Sequence, residues 1–259
     1  MSDRYLLRFA LRDLLRPKKL LAAAVLIALP TFLAVQILWH NQDGATPTDV
    51  YNVMAGGLVF GVVLVLLAVV FGTSVVSQEL EQKTIVYLLT RPVPRWRILL
   101  TKFAAALVAV VVTVGLADVT LALATHGPRE LGATRLVRDL QVLTVGAVAY
   151  GALFLLLGVM LNRPLMWGLL FAFGWESWVP TLPGRFGRVS VMTYLRVLAP
   201  HPPPELEDVD ITEVFKLLNP KEIPEATAWW TLLGIIAVAL VLAMLIFSRS
   251  EYVPREDAE

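Results

Sequence analysis

The 259-residue sequence predicts an all-α integral membrane protein with six transmembrane helices. Three observations lead there. Hydrophobic residues make up 57 % of the chain and charged residues only 17 %, and the mean hydropathy is +0.70, a composition that excludes an ordinary soluble domain. Six apolar stretches recur, each of about twenty residues, enough at ~1.5 Å rise per residue to cover a ~30 Å hydrocarbon core. The charged residues gather mostly between these stretches, as expected if an ionised group at the membrane centre costs ~2.5–3.5 kcal/mol.

The chain begins with Arg4, Arg8, Arg12 and Arg16 at four-residue spacing, with Leu7, Leu11, Leu14 and Leu15 on another face. This pattern predicts a helix over 4–16 lying in the membrane interface, arginines toward anionic headgroups. The first span, 20–39, is too long for the ~7–15-residue apolar region of a signal peptide, and Pro30 should kink it. His40 to Tyr51 reads as a polar loop, with Asp43-Gly44 and Pro47 as turn signals. In the second span, 52–76, Gly57 and Gly61 have a GxxxG spacing that permits close helix packing, within the chain or between copies. The third span, 98–124, carries Asp118, and the fourth is 140–161. Asn162-Arg163-Pro164 makes a short turn in which Asn162 can cap the fifth span, 165–182. Glu176 lies near the outer end of that span, between Trp175 and Trp178. Residues 183–227 are rich in proline and acids, with short helices expected at 189–198 and 211–218, and read as an external helical cap. The sixth span is 229–247.

One loop, Ser77 to Phe103, stands apart. It carries Glu79, Glu81, Lys83, Arg91, Arg95, Arg97 and Lys102, so it must be aqueous. Glu79 to Thr90 is helix-forming, and Arg91-Pro92-Val93-Pro94 should end that helix. Glu79, Glu81, Thr84, Leu88, Leu89, Pro92, Arg95, Ile98 and Lys102 together resemble the cytoplasmic coupling loop of ABC type-2 exporter permeases. Lys83 and Thr101 depart from that pattern, standing where glycine is usual. The resemblance implies that 1–259 is one transporter transmembrane domain, with 4–16 as an elbow helix and 78–97 as a coupling loop. It implies two permeases, identical or paralogous, and two copies of a separate ATPase subunit that bind ATP and Mg²⁺. Glu79, Glu81, Thr84, Tyr87, Leu88, Arg91 and Arg95 would contact that subunit, with Arg97 at the rim and the two acids near the positive end of the helix dipole.

Other features narrow the function. Placing both termini in the cytoplasm puts 14 of the 22 basic residues there, the favoured orientation; a bacterial or archaeal cytoplasmic membrane is the expected location. A net charge of +1 gives no field for nucleic acid, and there is no cysteine. The three histidines, His40, His126 and His201, fall on separate outer segments and suggest no metal site. Phosphate-loop, H-E-x-x-H and G-x-S-x-G motifs are absent, so no cofactor is expected in this chain. No internal repeat supports an inverted-repeat carrier. Asp118 and Glu176 are candidates for a translocation pathway, because an ionisable group inside a span is costly. Alternatively each pairs with a base such as Arg185 or Arg188, or faces outer water. The Leu-, Val- and Ala-rich spans suggest an amphipathic or lipid-like substrate, with membrane lipid as a partner. Two other functions fit less well: a lipid-modifying enzyme using Asp118, Glu176 and His201 as acid–base groups, and a non-transporting anchor for an ATPase.

Overall fold

The computed structural model describes residues 17–40, 44–81, 95–181, 186–202 and 223–249. Among the described residues all regular structure is helical, as it must be where no water is present to satisfy backbone amides. Helix α1 is Pro17–Trp39. Helix α2 runs unbroken through Pro47–Met54, a π-helical stretch Ala55–Leu64, and Val65–Glu81. Helix α3 is Arg95–His126 and α4 is Leu136–Met160. Helix α5 comprises Pro164–Leu170, a π-helical turn Phe171–Trp175, Glu176–Trp178 and a 3₁₀ turn Val179–Thr181. A 3₁₀ turn Phe186–Val189 leads into the short helix α6, Val191–Leu198, and α7 is Glu225–Arg249.

Four stretches are long and apolar enough to cross a membrane: Pro47–Val76, Trp96–His126, Leu136–Met160 and Glu225–Arg249. The protein is therefore an integral membrane protein. Among the described residues these four match the second, third, fourth and sixth of the expected spans. The other two expected spans, 20–39 and 165–182, fall on α1, a 23-residue helix, and on α5, which is broken by its π and 3₁₀ turns. Several boundaries also move outward. The expected loop 40–51 already contains the start of α2 at Pro47, α4 begins at Leu136 and α7 at Glu225. The N-cap of α5 is Arg163, without a side-chain capping bond, rather than Asn162. The expected interfacial helix 4–16 and the second cap helix 211–218 lie outside the described residues.

Helix α4 is the centre of the bundle. Two-thirds of its span, 67 %, is buried inside the chain, against 22 % for α7. It packs most extensively on α2 and α7, and α1 packs on α3. The α2–α4 contact is close because both helices place small residues there. A Cβ on Gly72 would lie 2.8 Å from the Phe154 Cβ and 3.2 Å from the Gly151 carbonyl oxygen. A Cβ on Gly158 would lie 3.2 Å from the Thr73 carbonyl oxygen. In a bilayer, where lipid is as apolar as leucine, such backbone proximity is a main source of helix association. Gly57, the first glycine of the GxxxG pair, has nothing within 4 Å of its Cβ position, and Gly61 would meet only the Gly56 carbonyl of its own helix. The pair does not pack α2 against another helix among the described residues.

Gly72→Ala should therefore lower the thermal unfolding temperature of the detergent-solubilised protein, consistent with an overpacking cost of about 1–3 kcal/mol. Gly57→Ala should leave that temperature unchanged or raise it slightly.

Candidate functional site

Two groups of buried polar side chains are set into the bundle, and both use α4. The first begins at the N-terminus of α2. Thr46 and Asp49 form a reciprocal capping box: Thr46 Oγ1 accepts from the Asp49 amide at 3.2 Å, and Asp49 Oδ2 accepts from the Thr46 amide at 3.0 Å. Pro47 occupies the first helical turn, where its missing N–H is not needed. This start fixes the phase of α2 so that Tyr51 points inward. The Tyr51 hydroxyl oxygen lies 2.8 Å from Asp139 Oδ2 and 3.2 Å from Asp118 Oδ1. Asp139 is in the first turn of α4, where the helix dipole favours a carboxylate. Both carboxylates are fully buried.

His201, just beyond α6, covers this pair. Its side chain is 6 % exposed, and Nε2 lies 3.4 Å from Asp139 Oδ2 but out of line for a hydrogen bond. Its ring sits 5.3 Å from that of Phe60 and 6.3 Å from that of Tyr51. Gly56 makes the space, since a Cβ there would lie 3.0 Å from the His201 Cβ. On the other side His126 stands edge-on to Tyr51 at 5.9 Å and is hydrogen-bonded through Nε2 to Thr48 and through Nδ1 to Thr125. Arg138 ties the cover down: its Nε donates to the Leu198 carbonyl, and its Nη2 is 2.7 Å from Glu225 Oε1.

The second group surrounds Glu176. Its carboxylate accepts from Ser190 Oγ at 2.6 Å, the Tyr150 hydroxyl at 3.0 Å, and the amides of Val191 and Met192, each at 3.2 Å. Ser190, the N-cap residue of α6, makes no side-chain cap to its own helix. Glu176 supplies that cap from α5, closing a helix N-terminus 14 to 16 residues further along the chain. Arg196 on α6 interacts electrostatically with both Glu176 and Tyr150.

Asp118 and Glu176 thus belong to separate groups with no residue in common. Their hydrogen-bond partners are hydroxyls and backbone amides; Arg188 bonds neither, and Arg185 lies outside the described residues. The acid–base set of Asp118, Glu176 and His201 does not assemble, because His201 faces Asp139 and Glu176 sits with Tyr150 and Ser190. Among the described residues no three His, Asp or Glu side chains are placed to hold a metal ion.

Of the coupling-loop residues, Thr84, Tyr87, Leu88 and Arg91 lie outside the described residues. Glu79 and Glu81 continue α2 rather than starting a new helix, so the expected favourable placement at a helix N-terminus does not hold. Arg95 is the first residue of α3, and the Arg97 guanidinium lies 5.8 Å over the Trp96 ring. Sequence reasoning missed Tyr51, Asp139, Tyr150 and Ser190. The Thr46-x-x-Asp49 spacing with Pro47 was the available signal for the first of these, because it marks a helix start inside the supposed loop.

Membrane-crossing apolar helices that enclose the buried carboxylates Asp118 and Asp139 define a polytopic integral membrane protein built for packing within a bilayer. The chain belongs to the ABC-2 transporter family: residues 10–252 match the family described as ABC-2 family transporter protein. No individual curated protein matches the chain. The family assignment makes it the membrane component of an ABC transporter, a kind of subunit that is generally not itself catalytic.

Glu176→Gln replaces one acceptor oxygen with a donor that faces the Val191 amide at the Oε1 position or three donors at the Oε2 position. Amide hydrogen exchange at Val191 and Met192 should accelerate in that variant, reflecting a loss of about 1–3 kcal/mol of local stability. Tyr150→Phe, which removes one donor of four, should have a smaller effect on the same amides.

Proposed function

We propose that the chain is the permease subunit of an ATP-driven ABC exporter. It would form the translocation pathway with a second permease, a copy or a paralogue, and couple to two copies of a separate ATPase subunit carrying ATP and Mg²⁺. The family match over residues 10–252 is the observation that carries this reading. The loop between α2 and α3 supports it further. Of the 30 residues of Pro47–Val76, the 20 in α-helix alone give about 30 Å and the ten π-helical ones add to that, so α2 has length to spare for extending beyond a ~30 Å core toward Glu81. On this reading α1 and α5 complete a six-span architecture, both termini are cytoplasmic, and the substrate is amphipathic or lipid-like. Asp118 and Glu176 are buried in this conformation, so contact of either with a substrate requires the surrounding helices to separate.

Two experiments test the proposal. The coupling loop needs an apolar anchor, since buried aromatic and aliphatic side chains carry most interface energy at about 2 kcal/mol or more each, and rim charges little. Tyr87→Ala with Leu88→Ala should abolish co-purification with the ATPase subunit and substrate-stimulated hydrolysis, and Glu79→Lys with Glu81→Lys should weaken both. Wild-type behaviour in both double variants would remove the coupling role and leave a membrane anchor. Because the chain has no cysteine, a single cysteine at Pro203 reports orientation directly. It should be labelled from outside intact cells, and labelling only from the cytoplasm would invert the topology.

A further inference from the structure

We propose that Asp118, Tyr51, Asp139 and His201 form a proton-binding site, in which one proton held between the Asp118 carboxyl and the Tyr51 oxygen fastens together the ends of α2, α3 and α4. The inference is independent of the exporter reading. Tyr51 has one hydroxyl hydrogen, yet its oxygen lies within hydrogen-bonding distance of two carboxylates. The shorter contact, 2.8 Å to Asp139 Oδ2, takes that hydrogen. Asp118 Oδ1 then faces a tyrosine lone pair at 3.2 Å. An ionised Asp118 is repelled there, whereas a protonated Asp118 donates. The remaining oxygens, Asp118 Oδ2 and Asp139 Oδ1, are buried without a hydrogen-bond partner. Two ionised carboxylates sharing a single hydrogen in a buried site is the costliest assignment of protons available.

Among the described residues the surroundings offer no other way to neutralise the pair. His201 Nε2 stands 3.4 Å from Asp139 Oδ2 without a hydrogen bond, and even an imidazolium there would offset one charge and not two. On α3, His126 has both ring nitrogens on threonine hydroxyls. On α4, Arg138 is turned away to Leu198 and Glu225, which also occupies the one charged group that α7 brings to this end. Helix α1 meets α3 through a hydroxyl contact, Thr31 to Thr120 at 3.0 Å, and its His40 is exposed on the Gln36 carbonyl. Asp49 of α2 is engaged by Thr46, and Arg129, Glu130 and Arg135 of the α3–α4 connection are exposed. Arg196 of α6 interacts with the Glu176 group instead. Glu176 provides the contrast: four donors converge on it, so it is satisfied as a carboxylate. By linkage, separation of the helix ends that admits water to Asp118 and Asp139 releases the proton, and proton binding favours the closed arrangement.

Infrared spectroscopy of the full-length protein at neutral pH, with and without deuterium exchange, reads the C=O stretch of protonated carboxyl groups. Wild type should show a band from a buried protonated carboxyl. Asp118→Asn should remove it and Glu176→Gln should retain it. Asp118→Asn should also keep wild-type thermal stability, because its amide can donate to Tyr51 as the protonated acid does, whereas Tyr51→Phe should unfold at a lower temperature. Absence of the band in wild type, or its survival in Asp118→Asn, overturns the proposal, and so does an Asp118→Asn protein destabilised as much as Tyr51→Phe. Should Asp118→Asn fail to fold, isotope-labelled aspartate in wild type decides: a shifted band supports the site, and an unshifted or absent one refutes it.

Discussion

The approach of α2 to α4 at Gly72, Gly151 and Gly158 sets the geometry on which the rest depends. Backbone atoms of one helix lie where a side chain of the other would have to be. No hydrophobic force drives two apolar helices together in lipid, so this contact works through dispersion between closely fitted surfaces. Both polar groups hang from it. Asp139 and Tyr150 project from α4, and Tyr51 from α2. A wider spacing between the two helices would pull Tyr51 away from Asp139 and open the floor of the second group as well.

The two carboxylate groups show how the same residue type is accommodated in opposite ways. Glu176 is surrounded by two hydroxyls and two helix-terminal amides, a donor set suited to a full negative charge. Asp118 and Asp139 share one hydroxyl and a misaligned imidazole. The first arrangement is rigid and self-sufficient: it joins α4, α5 and α6 into one unit. The second is underdetermined, and small movements of His201 or Tyr51 change its balance. The tie from Arg138 to the last carbonyl of α6 and to Glu225 of α7 means that the cover over this second group cannot shift without disturbing two helices.

Much of this fold was legible in the sequence. Apolar stretches in α2, α3, α4 and α7 identify the membrane-crossing elements, because hydrocarbon admits few alternatives to a helix. Polar residues at helix ends were misjudged for the same reason. His40 to Tyr51 and Thr125 to Asp139 look like loops on hydropathy, yet Tyr51 stands in the second turn of α2 and Asp139 in the first turn of α4, where the two meet at 2.8 Å. Asp118 and Glu176 were found because a charge within an apolar run is conspicuous. Their partners were not, since a tyrosine within an apolar run, such as Tyr150, carries no such mark, and Ser190 is brought to Glu176 only by the turn before α6. The family could be recognised from the coupling loop because that segment is charged and punctuated by proline, features that do not depend on tertiary contacts.

The π-helical stretch Ala55–Leu64 has a consequence for how the chain tolerates change in length. Tyr51 on one side of it and Gly72 on the other each meet α4 in a fixed direction. The wide turns between them act as a phase adjuster, taking up backbone so that both ends of α2 arrive in register. Adding or removing one residue there turns one end relative to the other by about 100° if the helix returns to regular α geometry. Substitutions in this stretch alter packing locally, whereas insertions and deletions change which residues face the centre of the bundle at all. The segment should accordingly be conservative in length even where its apolar residues interchange.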